Sequence, residues 1–463
     1  MKSIQFICIL PYFGIITKVE KLGKVGIIQV YMPTKNNKYH IITFGCQMNK
    51  SDSERVAAVL EHVGYRSMEK PEEADLIVIN ACSVRQAAID RIWGLVKNYD
   101  EAKLSRKLTT ILTGCLLDKD KERLGAKFDF VFNIKDLSSL EKWLHDKVAV
   151  EDDYLEVLPK YSSKFSAYVP IMTGCNNFCS YCAVPYARGR EVSRSVKSIL
   201  KEIKHLAKNG CKEIVLLGQN VNSFAPSDLN TFKENNPFKH AFAALLWEVN
   251  KIRGLDRVMF TAAHPKDMTA EVIEALALPK MMNYIHLALQ SGDDDVLKKM
   301  NRRYTADHYC KIIEKIRKVR PEIALGTDII EGFPGETRKQ FENTLKFYRK
   351  VNFDIAYHAM YSPRVGTVAA KMADDVTREE KKRRWHELQT LMMKMTKKIN
   401  QKYLNKTVEV LVDKKTGQYC EGNSREMKRV RFAGNAGMGE IVLVKITKAQ
   451  EWLLSGEIQD RSA

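Results

Sequence analysis

The chain has 463 residues, 45% of them hydrophobic and 28% charged, which is the balance of a globular protein with room for about three domains. A chain of this length can bury a large core without cross-links, so disordered, collagen-like and disulfide-stapled classes are excluded. Lys and Arg (75) outnumber Asp and Glu (56), and the net charge of +19 admits a nucleic-acid partner without requiring one.

Residues 1–36 read as an N-terminal extension. Its apolar run Ile4–Val19 is broken by Pro11 and followed by no small-residue cleavage site, so it is not read as a signal peptide. Met32 offers an alternative start. No stretch reaches the roughly 18 apolar residues of a membrane span, no membrane partner is expected, and the expected location is cytoplasmic. From 37 to 150, short apolar runs (Tyr39–Phe44, Ala74–Asn80, Leu108–Thr113, Phe128–Asn133) alternate with helical patterns (Ser51–Val63, Ala87–Asn98), which predicts a parallel α/β domain. An acidic, then polar, stretch over 151–166 reads as a linker.

A second alternating block, 167–376, holds expected strands at Ala167–Thr173, Glu213–Gly218, Val258–Ala262, Tyr284–Leu289, Ile323–Ile330 and Ile355–Met360. That is a partial (β/α)6 barrel, short of the eight units of a closed one. Asn222–Lys239 reads as a long polar loop after the second of these strands. Residues 377–403 predict a basic linker helix with about six net positive charges, which suits RNA phosphates as well as solvent. Residues 404–463 switch to short strands with Gly turns (Thr407–Val412, Arg429–Phe432, Glu440–Lys448, Leu453–Glu457), a small β-barrel in which Arg425, Lys428, Arg429 and Arg431 are candidate phosphate contacts.

Of the ten cysteines, Cys175, Cys179 and Cys182 form C-x3-C-x2-C just after the first strand of the second block. Three thiolates on one tight loop can hold three irons of a 4Fe–4S cube. The fourth iron stays open and can chelate an amino and a carboxylate group. A structural zinc would want a fourth protein ligand, and no neighbouring His or Cys in the sequence supplies it. Cys46, Cys82 and Cys115 each lie at the end of an expected strand of the first domain. Strand ends of a parallel sheet converge on one edge, so these three can meet despite their separation. Cys8, Cys211, Cys310 and Cys420 have no such company and read as core thiols.

With these residues in view, the chain resembles the radical S-adenosylmethionine methylthiotransferase family, in its MiaB-type tRNA branch. The motifs are Thr43-Phe44-Gly45-Cys46-Gln47-Met48-Asn49, Asn80-Ala81-Cys82-Ser83-Val84-Arg85, the C-x3-C-x2-C trio, Val184-Pro185-Tyr186-Ala187-Arg188-Gly189-Arg190, Leu217-Gly218-Gln219-Asn220-Val221, Leu289-Gln290-Ser291-Gly292, Gly332-Phe333-Pro334-Gly335-Glu336 and Tyr361-Ser362-Pro363-Arg364. The resemblance spans about residues 38–460. It implies an N-terminal methylthiotransferase domain with an auxiliary 4Fe–4S cluster on Cys46, Cys82 and Cys115, a radical domain with a second cluster on Cys175, Cys179 and Cys182, and a C-terminal TRAM domain for RNA. It implies that one S-adenosylmethionine is cleaved to a 5′-deoxyadenosyl radical that takes hydrogen from carbon 2 of a modified adenine. A methylthio group built with a second S-adenosylmethionine is then delivered from the auxiliary cluster.

The resemblance further implies S-adenosylmethionine contacts at Tyr181, Gly218, Gln219, Asn220, Gln290, Ser291, Arg303, Gly332 and Pro334. Relatives act on isopentenyladenosine in tRNA, on threonylcarbamoyladenosine in tRNA, or on an aspartate of a ribosomal protein. The motifs around Cys46 and Gln219 are similar to those of the first class. A tRNA carrying isopentenyladenosine, a flavodoxin- or ferredoxin-like electron donor and a monomeric state are expected, and the sulfur donor is left open. The sequence departs from the family at Glu331 (usually apolar), at Ala262-Ala263-His264-Pro265 (usually with a Ser) and at Val365 (often Pro).

Overall fold

The computed structural model describes residues 37–84, 86–144 and 153–459, with the antiparallel pair Glu20–Lys21 and Lys24–Val25 ahead of them. The alternative start at Met32 and the run Ile4–Val19 lie outside the described residues.

The first domain is a parallel five-stranded sheet in the order β2-β1-β3-β4-β5, formed by β1 (Lys38–Thr43), β2 (Arg66–Ser67), β3 (Leu76–Cys82), β4 (Thr109–Cys115) and β5 (Phe130–Val131). Every residue of β3 is buried, as expected of a central parallel strand covered by helices on both faces. The strands β3 and β4 run two residues past their expected ends, so Cys82 and Cys115 close the strands rather than follow them. Their Cα atoms are register partners. Cys46 is the N-cap of helix Gln47–His62.

The second domain contains the expected six main strands. They form two parallel three-stranded halves, β10-β9-β6 (Arg257–Phe260, Glu213–Leu217, Ser166–Pro170) and β11-β12-β13 (Tyr284–His286, Ala324–Glu331, Ile355–Met360). Bridges Val258↔Met281 and Ala263↔Leu287 join the halves. The expected strand Ala167–Thr173 breaks after Pro170. Its end, β7 (Met172–Thr173), leaves the sheet to pair antiparallel with β8 (Val192–Ser193), which clamps the base of the loop that carries Cys175, Cys179 and Cys182.

Residues alternate along β9. Ile214 and Leu216 join the core beneath the outer helices, whereas Val215 and Leu217 join a cluster with Val56, Leu60, Leu76 and Val78 of the first domain. The first domain therefore shares a core with the barrel. Helix Arg378–Asn400 is also less of a free linker than its charge suggests. Leu388 and Met392 enter the barrel core, Lys381 pairs with Asp374, and Arg384 pairs with Glu336 in the interior.

The chain ends in a closed five-stranded barrel, β14-β15-β16-β18-β17 (Thr407–Thr416, Tyr419–Ser424, Arg429–Ala433, Leu454–Ile458, Ile441–Ala449). Strand Tyr419–Ser424 was not anticipated, because its polar residues hide the period-2 pattern. Four cations read as phosphate contacts are committed elsewhere. Arg425 binds Glu409 and the carbonyls of Pro279 and Asp256; Lys428 pairs with Asp354; Arg429 pairs with Asp413 and Glu421; Arg431 pairs with Glu421. Arg425 and Lys428 thus dock the small barrel onto the large one.

Candidate active site

Both cysteine trios open onto one cavity of about 320 Å³ at the C-terminal ends of the barrel strands, lined by Cys46, Cys82 and Cys115 on one side and Cys175, Cys179 and Cys182 on the other. The local folds that place them share a device. Gly45, Gly114 and Gly174 precede Cys46, Cys115 and Cys175 at φ of 121°, 117° and 81°, a region that favours glycine. At Gly174 a Cβ would lie 1.9 Å from the Arg190 carbonyl oxygen, and at Gly114 one would lie 2.3 Å from that of Ala81. Cys46 is exposed, Cys182 half-buried and the other four are buried.

Burial pushes the Cys115 thiol up to about 11 and that of Cys182 up to about 12; the positive charge of Arg188 works against the rise at Cys115. A coordinating metal overrides such shifts, because it deprotonates a thiol outright. Among the described residues no group of His, Cys, Asp and Glu is gathered to hold a single ion. The only histidine of the lining, His264, accepts the Lys266 N–H at Nδ1 (3.1 Å), so its proton sits on Nε2 and it offers no ligand lone pair. Burial and the neighbouring Arg302, Lys266 and Arg303 bring its pKa down to about 2, so it stays neutral. The donor set therefore suits two three-thiolate cubes, each with one iron left open.

The expected cofactor contacts divide. Tyr181, Gly218, Gln219 and Gln290 line the cavity. Gln219 Oε1 accepts the Gly174 N–H at 2.5 Å, tying β9 to the cysteine loop. Tyr181 also packs against the buried cluster of Val296, Met300, Phe333, Tyr361 and Ala369. Asn220 instead holds Asp267 (2.8 Å) behind the wall, and Ser291 is buried against Thr344 and the N–H of Asp293. Gly332 and Pro334 do not line the cavity: the Gly332 N–H donates to Glu336, and a Cβ at Gly332 would strike Lys381. Arg303 is exposed, whereas its neighbour Arg302 is buried and donates to Cys179 Sγ at 3.5 Å, with further bonds to Tyr304 and the Ala288 carbonyl. The expectation named Arg303, whereas the arginine that lines the cavity is its neighbour Arg302.

Other lining residues went unread as site residues: Asn49, Asn177, Arg188, His264 and Asp328. Two residues at the wall, Ala262 (φ 63°) and Gln290 (φ 73°), and Phe178 (φ 49°) in the cysteine loop hold left-handed backbone. Such strain in non-glycine residues costs of order 1–3 kcal/mol each and gathers at functional sites. The unusual Glu331 is matched by a partner: it is buried, with Oε1 2.5 Å from His358 Nδ1, while His358 Nε2 meets Gln389 at 2.9 Å.

Known proteins share this architecture. Residues 169–348 match the model of the Radical SAM superfamily, and residues 38–134 match that of Uncharacterized protein family UPF0004. The solved structure of the radical S-adenosylmethionine methyltransferase TsrM from Kitasatospora setae superposes with a TM-score of 0.50 at 12% identity, over 73% of this chain and 74% of that one, a likeness of fold. A protein of Thermoanaerobacter sp. (strain X514) named tRNA-2-methylthio-N(6)-dimethylallyladenosine synthase is 40% identical over 446 residues, 92% of this chain and 93% of its own. One of the same name from Caldicellulosiruptor saccharolyticus is 40% identical over 461 residues, covering 95% of this chain and 96% of its own. With relatives of that identity along nearly its whole length, and both cysteine trios on one cavity, the chain belongs to the radical S-adenosylmethionine methylthiotransferase family, in its MiaB-type branch.

Proposed function

We propose that this enzyme is a tRNA-2-methylthio-N6-dimethylallyladenosine synthase, adding a methylthio group to carbon 2 of N6-isopentenyladenosine beside the anticodon of tRNA. The observation that carries the reading is the convergence of Cys46, Cys82 and Cys115 with Cys175, Cys179 and Cys182 on one cavity. When bound, S-adenosylmethionine and the two 4Fe–4S clusters supply a carbon radical and a transferable sulfur, the chemistry an aromatic C–H without an acidic proton demands.

The chain's own residues do the rest. Cys175, Cys179 and Cys182 hold one cluster and Cys46, Cys82 and Cys115 the other. Arg302 steadies Cys179 through its guanidinium. Gln219, Gln290 and the Nε2–H of neutral His264 offer polar contacts to S-adenosylmethionine, and Tyr181 and Gly218 offer surface against which it would lie. The exposed Arg378, Lys382, Lys394 and Lys398 of the long helix offer a cationic track for tRNA phosphates. A flavodoxin- or ferredoxin-like protein would deliver the electrons, and the enzyme would work as a monomer in the cytoplasm. The test is nucleoside mass spectrometry of tRNA from cells whose only copy is C179A. We expect 2-methylthio-isopentenyladenosine to vanish and isopentenyladenosine to accumulate; an unchanged methylthio nucleoside would overturn the reading.

A further inference from the structure

Arg188 ends the short helix Val184–Arg188 of the radical domain, yet its side chain reaches into the other domain and is only 3% exposed. Its Nη2 donates to Asp52 Oδ2 at 2.6 Å and to Asn49 Oδ1 at 3.2 Å, both on the helix that Cys46 caps. Its Nη1 is buried with no nitrogen or oxygen acceptor, and the side chain that its guanidinium approaches on the cavity side is the thiol of Cys115. Arg188 lines the cavity together with Cys46, Cys82 and Cys115. An unmade hydrogen bond on a buried guanidinium costs several kcal/mol unless something accepts it. The group that the three thiols would hold is anionic and presents sulfur acceptors.

We propose that Arg188 is a contact residue of the auxiliary cluster: its Nη1–H donates to a cluster sulfur, while Asp52 and Asn49 fix the guanidinium from behind. The inference rests on the two-cluster reading above. A cation and a hydrogen bond at the sulfur raise the reduction potential of the cluster. They also stabilise negative charge on the sulfur that is to be handed over. Arg302 plays the matching part at Cys179 in the radical domain, so each trio has its own buried arginine.

The test uses the full chain carrying C175A, C179A and C182A, reconstituted anaerobically with iron and sulfide so that only the auxiliary cluster forms. With arginine labelled by 15N at the guanidino nitrogens, pulsed electron paramagnetic resonance of the reduced cluster is expected to show a 15N coupling that disappears in R188K. In redox titrations R188Q is expected to lower the midpoint potential, whereas D52N, which removes only the anchor's charge, is expected to leave it unchanged or raise it. A labelled chain without 15N coupling, or an R188Q cluster at the parent potential, overturns the assignment. If R188Q holds no cluster, the labelled spectrum of the unsubstituted Arg188 decides alone. If the triple variant itself binds no iron, the two-cluster reading falls and this assignment falls with it.

Discussion

A single methyl group placed at Gly114 would press on the Ala81 carbonyl oxygen at 2.3 Å and on Asn80 Oδ1 at 2.5 Å, where β3 and β4 bring Cys82 and Cys115 side by side. Backbone cannot yield there as a side-chain tip would. G114A is therefore expected to lose the auxiliary cluster and keep the other, with iron and sulfide per chain falling by about half and tRNA methylthiolation abolished. Gly94 supplies the control: nothing lies within 4 Å of its added Cβ, and it sits inside helix Gln86–Ser105. G94A should keep both clusters and gain roughly 0.5–1 kcal/mol of stability in chemical unfolding. That these six cysteines gather at one cavity was legible in the sequence, because one trio shares a short loop and the other lies at the ends of neighbouring parallel strands. Arg302 and Arg188 were not, since their meaning depends on which of two neighbours points inward and on packing between domains separated by over a hundred residues.

The helix Arg378–Asn400 divides its charge between two tasks. Lys381 and Arg384 are spent on Asp374 and Glu336 in the interior, Arg383 on Glu380 and Lys397 on Glu451, while Arg378, Lys382, Lys394 and Lys398 face water. A count of basic residues therefore exceeds the number of cations that this element leaves without an acidic partner, and the same holds in the small barrel. Net charge is legible from sequence, but ion pairing is not, because partners such as Asp354 for Lys428 come from other elements. The double substitution K394A/K398A should weaken tRNA binding about equally across sequences. It should also reduce the slope of log affinity against log salt by roughly two, one for each phosphate contact removed. Equal slopes for parent and variant, measured by filter binding over a salt series, would remove these lysines from the interface.

Three expected domains became one body because their contacts are polar as well as apolar. The shared core of Val215 and Leu217 with Val56 and Leu76 joins the first two. The third is held by Arg257, a fully buried guanidinium on β10 that takes Glu409 at 2.9 Å and the carbonyl oxygens of Asn423 and Glu409 from the small barrel. Removing the carboxylate takes the salt-bridge partner from a buried guanidinium and leaves it only the neighbouring Glu213, at a cost of about 1–3 kcal/mol because Glu409 is itself partly exposed. E409A should lower the melting temperature of the whole chain and expose the connection near residue 404 to limited proteolysis. Cleavage at the parent rate would show that the docking does not depend on this pair. Domain order and class were readable from alternating patterns; docking was not, because Arg257 reads in sequence as an ordinary charged strand start.

The uneven exposure of the six thiols has a practical meaning. Cys46 faces solvent while Cys82, Cys115, Cys175 and Cys179 are buried. In the chain before its clusters are built, an oxidant or alkylating reagent diffusing toward the cavity meets Cys46 first. A chain blocked there before loading is expected to take up the cluster of the other trio alone, so protection of Cys46 during reconstitution should set how many chains acquire both.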